Sequence, residues 1–177
     1  MTAWGRIVVW SLAAVAGAAG VRRPEAHVDL GGATVVLGVV VGVGLYVGLS
    51  GSVMVKVRAP GAAARIAYVA ARAAYEEALW RLCLLGLLAA AFGPVAGLLL
   101  TTVAFALSHW PRQGPRATVH LVTGAMFGGV FLATGSFAAA VATHAAYNAL
   151  VAVNSRPYWP IGGARLPPYD AVDGAAR

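Results

Sequence analysis

The sequence predicts an all-α membrane protein: a polytopic bundle of about six transmembrane helices, with one interfacial helix leading into the third. Composition points there first, because 60% of the 177 residues are hydrophobic and only 11% are charged, against about 25% charged in an ordinary soluble domain. The apolar residues also fall in blocks that span or nearly span a bilayer, at 7–21, 28–55, 82–92, 95–110, 119–134 and 137–153. The blocks shorter than the ~20 residues of a straight span imply tilt or local thinning. Finally, charge is confined almost entirely to the segments between blocks. The formal charge of +7 is therefore read as topology rather than as a nucleic-acid surface.

Taken in order, the first block follows Arg6 and ends in small residues. It is read as a membrane helix, with a cleaved signal peptide as the alternative. The second is long and glycine-rich. Segment 61–79 is alanine-rich, with Arg58, Arg65 and Arg72 at a spacing of seven. That pattern describes a helix lying at the membrane interface and running inward as 82–92. Gly93-Pro94 should end it, Pro111 to Pro115 should form a turn, and Gly135-Ser136 a tighter one. The tail from Asn154, with four prolines, is expected to be irregular. The chain then divides into two N-terminal helices (1–57), a core (58–153) and a tail (154–177).

Basic residues orient the bundle. With the N-terminus inside, Arg6, Lys56, Arg58, Arg65, Arg72, Arg112, Arg116, Arg156, Arg165 and Arg177 fall on the cytoplasmic side, and Arg22 and Arg23 outside. Both termini are thus expected in the cytoplasm, in a cell (inner) membrane, with the lipid bilayer and no nucleic acid as the environment. The single cysteine, Cys83, permits neither an internal disulfide nor a cysteine-based zinc site.

Chemistry concentrates in a few polar positions. Between Gly31 and Tyr169 the only acidic residues are Glu76 and Glu77, adjacent to one another. Glu77 and Arg81 are i,i+4 partners, while Glu76 is rotated about 100° away on the helix and faces elsewhere. A helix-end salt bridge explains Glu77 and Arg81 but not the second glutamate, since each charge near the bilayer centre costs about 2.5–3.5 kcal/mol on insertion scales. His109 ends the fourth block. His144 sits mid-block with Asn148 one turn later on the same face. Interhelical hydrogen bonding is the plainer explanation for any one of them. His27, His120 and Tyr147 are further candidates for a cavity wall, with no role assigned.

Glu76-Glu77-Ala78-Leu79-Trp80-Arg81 resembles the EExxxR motif of the CPBP family of CAAX-type intramembrane proteases. Phe105 to His109 resembles its FxxxH motif, and His144 to Asn148 its HxxxN motif, in the same order and with similar spacing. The resemblance covers about half of the chain, 70–153. It implies an endopeptidase in which Glu76 is the general base on a water that His109 helps to hold. Burial and Arg81 would act in opposite senses on the basicity of Glu76. Glu77 would pair with Arg81, and His144 and Asn148 would stabilise the oxyanion.

Family members are often called metalloproteases, and His109 and His144 are the ligands to consider if zinc is bound. No HExxH is present, and the expectation is that no cofactor is required. The implied substrate is a membrane-associated protein or peptide precursor cut near its C-terminus, either of the CAAX type or a sorting tail of the myxosortase type. Two other readings remain: a non-catalytic immunity or scaffold protein, and a rhomboid-like serine protease built on Gly48-Leu49-Ser50-Gly51.

Overall fold

The computed structural model describes residues 32–51 and 62–154, which are helical apart from short connections. The first block, His27, Arg58 and the tail beyond Asn154 lie outside the described residues. So do the expectations placed on them, the signal peptide included.

Helix α1 (Gly32–Ser50) is followed by α2 (Ala62–Glu77), which continues through a π-helical stretch (Ala78–Leu85) into α3 (Gly86–Phe92). The interfacial helix and the third block therefore form one unbroken rod, as the absence of any breaker between them suggested. Gly93, at φ 87°, ends it, and Pro94 opens α4 (Pro94–Gln113) at a position where a missing N–H costs nothing. Here the turn expected from Pro111 to Pro115 is corrected. The helix runs through Pro111 to Gln113, because proline in the last turn forfeits a single backbone bond. A 3₁₀ turn (Gly114–Thr118) leads into α5 (Val119–Thr134). Gly135, at φ 65°, reverses the chain, and Ser136 Oγ accepts from the Ala139 N–H at the start of α6 (Phe137–Asn154).

Helix α6 packs against α1, α2 and α5, and α4 pairs with α3 and α5. The seam between α1 and α6 is made of small residues. A Cβ on Gly38 would lie 2.4 Å from the Ala139 carbonyl oxygen, and one on Gly42 would lie 2.3 Å from that of Thr143. Backbones approach this closely only over glycine. In lipid, where burying hydrocarbon drives nothing, such van der Waals contact supplies much of the attraction between helices.

Polar groups are buried beside the apolar core while large apolar side chains cover the outside. Glu77, Arg81, Thr101, Thr123, Thr143 and His144 are buried, while Val36, Val40, Leu87, Phe92, Leu107 and Tyr75 face outward. Water would not favour that apolar surface; a hydrocarbon solvent does. Among the described residues, two stretches have the length and hydropathy to cross a bilayer: Gly32–Ser50, and Pro94–Thr134 with its central 3₁₀ turn. Neither α2–α3, which carries the charges, nor α6, with its histidine and asparagine, meets that measure. Six spans are therefore not established by it.

Candidate active site

Glu77 is fully buried and bonded on both sides. Its Oε2 accepts from Arg81 Nε at 2.8 Å, the pair expected from the i,i+4 spacing, and its Oε1 lies 2.8 Å from His144 Nδ1. A carboxylate only accepts, so Nδ1 carries the proton and the second ring nitrogen, Nε2, turns the other way. The ring is clamped further by Phe127, stacked on it at 4.4 Å and 20°. Arg81, Glu77 and His144 thus form a chain from the π-helical stretch to α6, in which each member orients the next. The π turns coincide with this anchor, and such turns are often found at functional sites.

Glu76 stands beside the lock. Arg72, one turn earlier, forms an ion pair with its Oε1, and its Oε2 lies 3.8 Å from His144 Nε2. This corrects one expectation: Arg81 serves Glu77 alone among the pairs seen, and the guanidinium touching Glu76 belongs to Arg72. A distance of 3.8 Å is too long for a direct bond and suits a water bridging the two atoms.

His109 reaches the same space from α4. Its Nδ1 lies 2.9 Å from the Phe105 carbonyl oxygen, which can only accept, so Nε2 holds a lone pair. Phe105 is the hub. Its buried ring meets Trp80, His109, His120 and His144 edge-on, with the Arg81 guanidinium 5.7 Å above its centroid.

These side chains line a cavity of about 750 Å³ between α2, α4, α5 and α6. Glu76, His109, His144 and Asn148 are on its wall, and Glu77 and Arg81 stand behind it. Four of the six motif residues line the cavity and the other two are bonded to one another behind it, so α2 with its π-helical continuation, α4 and α6 bring all six together. Sequence reading passed over Arg72, whose place four residues before Glu76 was a usable signal. It also passed over Phe127, for which no local signal exists. His120 and Tyr147 do line the cavity. Arg65 and Arg72 of α2 and Arg112 of α4 border it too, so the two described arginines of the stripe face the cavity. Ser50 closes α1 and is not among the residues lining the cavity.

Glu76 with the histidines does not make a three-ligand cluster: no group of three His, Cys, Asp or Glu among the described residues converges to hold an ion.

The family profile described as Type II CAAX prenyl endopeptidase Rce1-like matches residues 59–150, just over half of the chain. The matched stretch contains every motif residue described above. No curated protein and no solved structure matches the chain.

Proposed function

Because the chain belongs to the Rce1-like type II CAAX prenyl endopeptidases, a family of membrane-embedded proteases, we propose that it is an intramembrane endopeptidase whose nucleophile is a water activated by Glu76. The observation that carries this reading is the 3.8 Å separation of Glu76 Oε2 and His144 Nε2 on the wall of one cavity, with His109 on the same wall.

The steps follow from which atoms hold protons. A water in the gap gives a proton to Glu76 Oε2 while His109 Nε2 accepts its second hydrogen bond. Its oxygen attacks the peptide carbonyl carbon. His144 in its protonated form, with Nδ1–H given to Glu77, donates from Nε2 to the oxyanion, and the Asn148 amide donates beside it. The tetrahedral species collapses, the C–N bond breaks, and Glu76 passes its proton to the departing amine. Glu77 and Arg81 touch no reacting atom; they hold the ring.

The substrate is a membrane-associated protein or peptide precursor, cut near its C-terminus. Arg65, Arg72 and Arg112 border a cavity in which Glu76 is the one carboxylate among the lining residues, which suits an anionic chain end. Those arginines gather at one end of the bundle, in support of a cavity opening to the cytoplasm, in a multi-pass inner-membrane protein with both termini inside.

The test is cleavage by detergent-purified protein across a panel of peptides and membrane proteins with reporter tails, with and without chelator. Glu76→Gln and His144→Ala should each lower kcat/KM by at least ~10²-fold, the scale for loss of one catalytic group. Full activity in folded Glu76→Gln would overturn the assignment, and the chelator arm reports on metal. If folded wild type cuts nothing, the immunity or scaffold reading replaces it.

A further inference from the structure

His120 belongs to none of the three motifs, yet its ring lies against that of His109 with centroids 3.9 Å apart and planes 32° apart. We propose that His120 is a positioning residue that fixes the His109 ring for the reaction, and that Gln113 fixes His120 in turn. The proposal rests on the protease reading above and deepens it.

Both nitrogens of His120 are already committed. Nε2 lies 3.0 Å from Gln113 Oε1, an acceptor, so the proton is on Nε2. Nδ1, left with a lone pair, faces the Thr123 hydroxyl at 3.4 Å. A ring held in this way is a neutral wall rather than a proton carrier. His109 is the opposite case: its anchors, the Phe105 carbonyl at 2.9 Å and the Ser108 hydroxyl at 3.1 Å, both meet Nδ1, and Nε2 is left for the water. An imidazole tethered at one nitrogen still rocks about its side-chain bonds. Phe105 meets it edge-on with centroids 4.7 Å apart, and the His120 ring lies across it. Removing the His120 ring would let the His109 ring swing and carry Nε2 away from the water.

The short connection between α4 and α5 builds this support. Gln113 ends α4, His120 opens α5, and the five-residue 3₁₀ turn between them brings the two side chains together across seven positions. Gln113 and His120 thus bracket a turn that, on this proposal, sets the position of the His109 ring as well as reversing the chain.

The test uses full-length protein in detergent. His120→Ala should lower kcat about 10–100-fold, in line with displacement of a catalytic group by about an ångström, with KM changed less than twofold. His120→Phe, which restores a flat ring but no hydrogen-bonding nitrogen, should recover most of the loss. Gln113→Ala should fall between them. Wild-type kcat in His120→Ala, or a raised KM with kcat intact, would overturn the proposal, the latter by making His120 a substrate contact.

A second measurement stands apart from turnover. In ¹⁵N-histidine-labelled protein, His109 should show a single Nδ1–H tautomer in wild type and His120→Phe, and a mixture in His120→Ala. An unchanged tautomer in folded His120→Ala would sink the proposal even if no substrate had been found. Absence of cleavage by wild type, with the tautomer shift present, would instead count against the protease reading alone.

Discussion

The Glu77–Arg81 pair shows how a charge survives in the interior: both side chains have no exposure, and each holds the other. Two Arg81 nitrogens, Nη1 and Nη2, are nevertheless buried without hydrogen-bond partners. The Phe105 face beneath the guanidinium offsets part of that deficit. Breaking a buried pair strands a charge, so Arg81→Met should cost about 3–5 kcal/mol, whereas Arg81→Met with Glu77→Gln should cost less than Arg81→Met alone. Denaturation in mixed micelles measures both, and additive losses would contradict the coupling. Phe105→Ala opens a void at the hub of the aromatic cluster and should cost about 3–5 kcal/mol, with Phe105→Leu intermediate on the same assay. Glu76, Glu77, Arg81, His109, His144 and Asn148 were legible as candidates, and as neighbours in the fold, because polar groups are conspicuous against an apolar background. The partners that orient them were not, because Phe127 or Gln113 looks ordinary until folding brings it across from another helix.

Among the helices, the α1–α6 seam makes the sharpest forecast. Gly42→Ala places a methyl on the Thr143 carbonyl, while nothing lies within 4 Å of a Cβ on Gly44. Thermal melting should therefore fall for Gly42→Ala and hold or rise for Gly44→Ala, where replacing glycine within a helix gains about 0.5–1 kcal/mol. Equal effects would mean that the two helices do not meet there. Helix order, the Gly93 and Gly135 reversals and the continuous α2–α3 rod were all readable from breakers and periodicity. The π-helical turns were not, since Ala78 to Leu85 has the composition of any apolar helix.

For the molecule as a whole, the arginines at the cavity mouth imply an orientation that can be read chemically. In a Cys83→Ser background, Arg116→Cys should react with an impermeant maleimide only after inside-out vesicles are made, and Ala133→Cys only from the outer face. Reversed labelling would invert the bundle. The fold class was legible because an 11% charged chain has only lipid as a good solvent; the number of crossings was not, because helices that carry a buried site lose the uniform hydropathy by which crossings are counted. The glycine seam has one more consequence. Helix α1 lies outside the matched stretch of 59–150, yet it splints α6, which carries His144 and Asn148. On the protease reading, a substitution that loosens α1 should therefore weaken cleavage while every residue of the family signature stays unchanged.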